Sequence, residues 1–422
     1  MVKLLIIADD FTGAMDTGVQ FAARGAVTRV VTDPLYDFTQ ASPETQVLVM
    51  DAETRHLTAS DAYSVVFRAA RATLKARIFY IYKKTDSALR GNVGSELAAL
   101  MDATGYHQLP FIPAFPSMNR ITKEGIHYIE NIPVADSVFG SDPFEPVRFS
   151  SVRSILAEQT DKTVTVCTAE NPQSWETAGI QVFDAQTNDD LRKISHGLGT
   201  ERVHISAGCA GFASELAAVL RLDGAPPELP TLVPALFIFC GSVNPVTQNQ
   251  LAEAERAGFK RIRLTVWQKL DPMWQDSEDC RREVARWKEL TKKYDRLILD
   301  TNDPDGSFET QEYMKLNNLT IEDVRVRIST VLGRLMKMLL DDGLQATLLC
   351  TGGDTLLALM RAVQISELTP VCELDTGVVL TSFLYQGKTY HIISKSGGFG
   401  APDLLGRLAE LIGTGKREET VC

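Results

Sequence analysis

Several features that would settle a function quickly are missing from this chain. Its 422 residues hold seven cysteines (Cys167, Cys209, Cys240, Cys280, Cys350, Cys372 and Cys422) and no CxxC pair. An odd, widely spaced set suits a reducing cytoplasm better than a disulfide framework, and it offers no thiolate zinc pattern. The six histidines, His56, His107, His127 and His391 among them, lack ligand spacing, so each reads as structural. No apolar run approaches the roughly 20 residues of a membrane-spanning helix. Met1 to Ala8 is too short for a signal peptide and runs into acidic residues. The chain is therefore expected to be soluble and cytoplasmic.

Positive charge is short as well. The 43 Lys+Arg against 54 Asp+Glu give a net charge of −11, which argues against nucleic-acid and anionic-membrane partners. Any anionic ligand must be captured by local cations and backbone N–H groups. No GxGxxG opens a βαβ unit, which disfavours a nicotinamide dehydrogenase. Gly413-Thr414-Gly415-Lys416 lacks the preceding strand and the spacing of a P-loop and reads as a tail.

What is present is a regular alternation of apolar runs and amphipathic segments. Leu4 to Ala8 is continuously apolar, as in a central parallel strand buried on both faces. Further strands are expected at 28–31, 46–51, 78–82, 163–167, 180–184 and 203–207, with helices between them. Leu109 to Pro116 is an apolar strand studded with prolines, expected to be short or at an edge. Four prolines between 226 and 234 exclude regular helix and central strand. A second series follows, with strands at 236–240, 261–265, 296–300 and 346–350. The expectation is an α/β chain of two domains, each with a largely parallel sheet flanked by helices: 1–224, a stiff linker at 225–234, and 235–422. The linker could serve as a hinge for closure over bound substrates.

Charged residues gather where such sheets hold ligands, at the carboxyl ends of strands. Asp9-Asp10 follows the first strand, and one carboxylate would be enough to cap the next helix. Lys84, Asp86 and Arg90 follow the fourth, a set that can hold an anion and leave an acid/base group beside it. A salt-bridged surface turn is the competing reading. Arg120 stands in another polar loop at a strand end. The loop 131–148, with Asp136, Asp142 and Glu145, reads as exposed and acidic.

In the second half three glycine turns each follow a strand: Gly241-Ser242, Thr351-Gly352-Gly353-Asp354-Thr355, and Lys395-Ser396-Gly397-Gly398-Phe399-Gly400. Glycines between a buried strand and a helix let backbone N–H groups face an anion, and the helix dipole adds to the attraction. One such turn is weak evidence; three in one domain point to a nucleotide.

Four ordered segments, Ile7 to Ala14, Lys84 to Asn92, Thr351 to Thr355 and Lys395 to Gly400, resemble the four-carbon acid sugar kinases over about residues 4–408. The resemblance implies an ATP-dependent kinase acting on the 4-hydroxyl of a four-carbon sugar acid, the acid held by the N-terminal domain and ATP by the C-terminal one. Carried over by motif, Ser242, Gly352, Gly353, Asp354, Thr355 and Gly398 would touch ATP. Asp9, Asp10, Lys84, Asp86, Arg90 and Gly91 would form the acid side, with Asp86 first and Asp10 second for orienting or deprotonating the hydroxyl. Lys84 would neutralise the transferring group, and Arg90 with Arg120 would bind the substrate carboxylate.

Mg²⁺ is expected with ATP, without an assignable protein ligand. Within the family, Lys83 to Asn92 and Pro113 to Pro116 look more like the D-threonate and D-erythronate kinases than the 3-oxo-tetronate branch. Two departures, Asn119 where a glycine is expected before Arg120 and Val243-Asn244 within the Ser242 loop, bear on which tetronate is used. The implied partners are the sugar acid and ATP, with no nucleic acid or membrane, and a homo-oligomer is left open. A non-catalytic sugar-acid sensor is the rival from another class.

Overall fold

The structure is a computed structural model and describes residues 1–142, 145–169, 171–304 and 306–414. Cys422 and the Gly415-Lys416 pair lie outside the described residues. The chain divides into two compact units, Met1–Pro227 and Glu228 onward. Among the described residues no helix is long and apolar enough to cross a membrane.

The first unit runs β1 (Leu4–Ala8), α1 (Phe11–Ala22), β2 (Thr28–Val31), β3 (Val47–Asp51), α2 (Ala59–Ala76), β4 (Tyr80–Lys84), α3 (Val93–Thr104) and β5 (Gln108–Ile112). A meander follows, β6 (Arg120–Lys123), β7 (Ile126–Ile129) and β8 (Ile132–Pro133). Then come α4 (Val152–Ala157), β9 (Val164–Cys167), β10 (Gly179–Phe183), α5 (Asn188–Arg202), β11 (Ile205–Gly208) and α6 (Ala210–Val219).

Its main sheet is parallel throughout, in the order β2-β3-β1-β4-β11-β5-β10-β9. The all-apolar β1 lies centrally with every residue buried, as a strand covered by helices on both faces requires. From β1 the chain goes to β2 and β3 on one side and then crosses to β4 on the other. That reversal opens a crevice between the carboxyl ends of β1 and β4, where such sheets bind ligands.

The proline-bearing β5 is short but not at an edge, since β11 and β10 flank it. Pro110 is tolerated because the β11 ladder begins only at Phe111. The segment read as a polar loop at 117–122 instead starts a hairpin at Arg120. Glu124 and Gly125 both have positive φ, 53° and 73°, as a tight two-residue hairpin turn demands.

The second unit runs β12 (Leu236–Cys240), α7 (Pro245–Arg256), β13 (Lys260–Arg263), α8 (Val266–Leu270), α9 (Glu278–Lys293), β14 (Arg296–Asp300), α10 (Phe308–Leu316) and α11 (Ile321–Asp341). It ends with β15 (Thr347–Thr351), α12 (Gly353–Val363), β16 (Glu367–Asp375), β17 (Val378–Tyr385), β18 (Lys388–Lys395) and α13 (Leu404–Thr414). The order is β13-β14-β12-β15-β18-β17-β16, parallel as far as β18 and antiparallel through β17 and β16. Here the direction reverses between β12 and β15, and the loops at their carboxyl ends carry Ser242 and Gly352-Gly353.

Candidate active site

In the first unit the loops after β1, β3 and β4 meet around one guanidinium. Arg55, in the loop after β3, places Nε 2.8 Å and Nη2 2.7 Å from Asp9 Oδ2. Its Nη1 lies 2.8 Å from Asp10 Oδ2, and Nη2 lies 3.6 Å from Asp86 Oδ1. Asp10 also caps α1, accepting from Gly13 N at 2.8 Å, so the capping role expected of the acid pair falls to Asp10. Burial opposes the charge on Asp9, but Arg55, Lys84 and Lys83 outweigh it and hold the carboxyl below its ordinary range. Asp9 Oδ1 is buried without a hydrogen-bond partner.

Asp86 is fully engaged. Its Oδ2 accepts from Arg90 Nε at 2.9 Å, Ala88 N at 3.1 Å and Arg90 N at 3.3 Å, and its Oδ1 accepts from Arg90 Nη2 at 3.0 Å. Burial works against its charge, yet Arg90, Arg55 and Arg120 hold it well below the usual carboxylate range. Arg90 is equally committed, with Nη1 3.1 Å from Asp142. The fork expected to face a substrate carboxylate is thus closed on the protein's own acids.

Arg120 differs. It donates to Ser87 Oγ and lies over the Phe139 ring at 5.3 Å, with Arg90 over the same ring at 5.1 Å. No carboxylate among the described residues lies within ion-pair distance of it. Burial lowers its pKa, and the longer-range attraction of Asp86 and Asp16 only partly offsets it. Lys84, also buried, donates to Thr85 O at 2.8 Å and stands against the first turn of α1, where a Cβ on Gly13 would come 2.6 Å from its Nζ.

The loop read as exposed and acidic is tied to this site. Asp142 pairs with Arg90, and Glu145 pairs with His56; both carboxylates are largely covered. Behind the site, the buried Lys83 Nζ is 3.1 Å from Glu96, whose carboxyl is pushed up by burial and which also accepts from Thr54 Oγ1. His127 bridges Ser87 O at 2.9 Å and Thr122 Oγ1 at 3.1 Å, and burial drives its pKa down to about 4. It is a neutral structural ring, as its lack of ligand spacing implies.

In the second unit the three glycine turns touch one another. Gly352 N donates to Lys395 O at 2.8 Å. A Cβ on Gly241 would meet Thr355 Oγ1 at 3.0 Å, and one on Gly397 would meet Ser242 Oγ at 3.1 Å. Gln250 fixes the last turn, its Nε2 donating to Phe399 O, Gly400 O and Ala401 O at 2.9–3.0 Å. Gly352 has φ 89° with open space where a Cβ would sit, and α12 begins there without a side-chain cap. Uncapped amides at a helix start beside open space fit a phosphate group.

Buried Lys395 donates to Ser396 O at 2.8 Å and has no carboxylate partner among the described residues; burial lowers its pKa to about 8. Asp354 pairs with Arg325 of α11. Among the described residues there is no cluster of three or more His, Cys, Asp or Glu that could hold a metal ion.

The expected site residues therefore fall into two groups. Asp9, Asp10, Lys84, Asp86, Arg90, Gly91 and Arg120 gather at the β1/β4 crevice; Ser242, Gly352, Gly353, Thr355 and Gly398 gather at the β12/β15 switch, with Asp354 turned to Arg325. Arg55 was missing from the sequence-based set, although it stands four residues past Asp51, the acidic end of β3.

Comparison with known proteins gives a consistent result. Residues 4–216 match the family described as a sugar-binding N-terminal domain, and residues 237–405 the one described as a nucleotide-binding C-terminal domain. A D-threonate kinase of Salmonella typhimurium is 28% identical over 96% of this chain and 97% of its own length. A D-erythronate kinase of Heliobacterium modesticaldum is 28% identical over 87% of each. A 3-oxo-tetronate kinase of Pseudomonas fluorescens is 26% identical over 96% of each. Among solved structures, a chain from Salmonella typhimurium LT2 superposes with a TM-score of 0.80 at 19% identity, covering 97% of this chain and 99% of that one. A DUF1537 protein from Haemophilus influenzae gives 0.72 at 17% identity, covering 97% and 100%.

Proposed function

Because the chain belongs to the four-carbon acid sugar kinase family, we propose that it transfers the terminal phosphoryl group of ATP, with Mg²⁺, to the 4-hydroxyl of a four-carbon sugar acid. D-threonate is the first substrate to test, and D-erythronate and 3-oxo-tetronate are the alternatives. The observation that carries this reading is Arg120, a half-buried guanidinium near Asp86 with no carboxylate within ion-pair distance among the described residues. A desolvated cation of this kind calls for an anionic ligand, and a planar guanidinium matches a carboxylate.

Phosphoryl transfer needs little covalent help from a protein; it depends on positioning and charge. Arg120 takes the acid's carboxylate. Asp86, ionised and held by two arginines, fixes the cationic wall and acts by orientation, since so weak a base has little proton affinity. Asp10, the more exposed carboxylate of the Asp9-Asp10 pair, is the one assigned to accept the hydroxyl proton. Lys84 balances charge on the transferring group. In the second unit, the amides at Gly352 and Gly353 with the Ser242 and Gly398 turns hold the nucleotide phosphates.

A coupled assay of ADP release over a panel of tetronates, with D-threonate and D-erythronate side by side, tests the proposal. Turnover with one of them is the expected result. Binding without turnover would favour the sensor.

A further inference from the structure

The residue that opens α3 does not do what its position leads one to expect. Asn at a helix N-cap ordinarily accepts from the helix's own first amides. Asn92 stands at that position and makes no such bond. The amides are served instead by Gln159, beyond α4, whose Oε1 accepts from Gly94 N at 2.9 Å and Ser95 N at 3.4 Å. Gln159 Nε2 also donates to Gly91 O at 3.0 Å.

Freed from capping, the Asn92 amide turns to the loop after β3. Its Nδ2 donates to Thr54 O at 2.8 Å, Leu57 O at 2.9 Å and, more weakly, Arg55 O at 3.4 Å. Three carbonyls around one nitrogen fix which end of the amide faces them. Gly91 completes the contact: with φ 84°, its missing Cβ would press to 3.0 Å from Arg55 Cγ. The backbone of Arg55 is thus gripped from one side by Gly91 and Asn92. From another side Arg55 N donates to Asp9 O at 3.1 Å.

We propose that Asn92 is a positioning residue that acts through the 54–57 loop to set the Arg55 guanidinium, and with it the spacing of Asp9, Asp10 and Asp86. The inference rests on the kinase reading above for its kinetic consequence. Gly91, expected from the sequence to touch the sugar acid, then works through Arg55. The chemistry requires such a device. Three carboxylates within reach of one cation repel one another unless that cation is held in place, and a flexible arginine would lose side-chain freedom each time it was recaptured.

The test uses the full chain with Asn92→Ala and Asn92→Asp, the latter keeping the shape and removing both N–H donors. The KM for the sugar acid should rise about tenfold, the scale of one or two lost hydrogen bonds, while the KM for ATP stays within about twofold. In an Arg55→Lys background the Asn92→Ala effect should largely vanish, because residues acting through one another are not additive. The Arg55 Nε–H resonance, assigned by its loss in Arg55→Lys, should shift in Asn92→Ala. Additive kinetics, or an unmoved resonance with only a lower Tm, would overturn the proposal. If Asn92→Asp does not fold, Asn92→Ala decides. Should the wild type turn over no tetronate, the kinase reading fails, and the resonance alone still tests the positioning role.

Discussion

Arg120 and Asp86 sit in the same cluster and should fail differently. Arg120 has no carboxylate within ion-pair distance among the described residues, so Arg120→Ala should remove a ligand contact and raise the KM for the sugar acid at least tenfold, with kcat less affected. Asp86 meets Arg90 and Arg55 and has no free oxygen. Asp86→Asn should therefore loosen the cationic wall and lower kcat by about 10² with nucleotide affinity kept. Steady-state kinetics on both variants separates the two outcomes; an unchanged acid KM in Arg120→Ala would send the carboxylate elsewhere.

His127 supplies a third residue-scale prediction. Its pKa lies near 4 in the fold against 6.5 unperturbed, so between those values the unfolded chain binds the extra proton. Stability from this ring is complete above about pH 6.5 and is lost as pH falls towards 4, by at most about 3 kcal/mol. His127→Gln should flatten the pH dependence of unfolding in that window, as urea melts from pH 4 to 7 would show.

Local signals explain which of these residues the sequence reveals. Lys84, Asp86 and Arg90 stand within seven positions at a strand end, where pattern alone marks them. Arg55 acquires its importance because β3 lies beside β1, a pairing made by topology that no spacing announces. Asn92 is legible as a helix start, but its redirected amide depends on Gln159 arriving from a distant segment.

At the scale of elements, the turn from β1 into α1 is the most constrained. Gly13 is helical, and in open helix Ala would be favoured over Gly by about 1 kcal/mol. Here a Cβ would lie 2.6 Å from both Asp10 Oδ1 and Lys84 Nζ. Gly13→Ala should accordingly change Tm by a few degrees at most while turnover falls at least tenfold, since the two groups that must yield are the ones assigned above to proton acceptance and charge neutralisation. Unchanged turnover would show that Lys84 moves aside harmlessly. Elements built on one strong apolar run, such as β1, β12 and β15, were legible. The antiparallel pair β16 and β17 was passed over, because its alternating, half-buried pattern is weaker than a continuous run and its turn at Gly377 lacks the flanking signature of a two-residue hairpin.

For the whole molecule, a net charge of −11 means that the two anionic ligands of the proposed reaction would be captured against the overall field, by local groups in two compact units. The acid-side residues all belong to Met1–Pro227 and the glycine turns to the unit beginning at Glu228. Ligand stabilisation acts on whatever the ligand binds, by RT ln(1 + [L]/Kd), and local opening reports it segment by segment. Hydrogen exchange read by mass spectrometry should show a non-hydrolysable ATP analogue with Mg²⁺ slowing exchange at 241–248, 351–356 and 395–401. The sugar acid alone should slow it at 9–14, 54–57 and 84–92. If the nucleotide analogue protected the 84–92 segment in place of the glycine turns, the assignment of donor and acceptor to the two units would be reversed. If neither set responded, the anion sites would lie elsewhere.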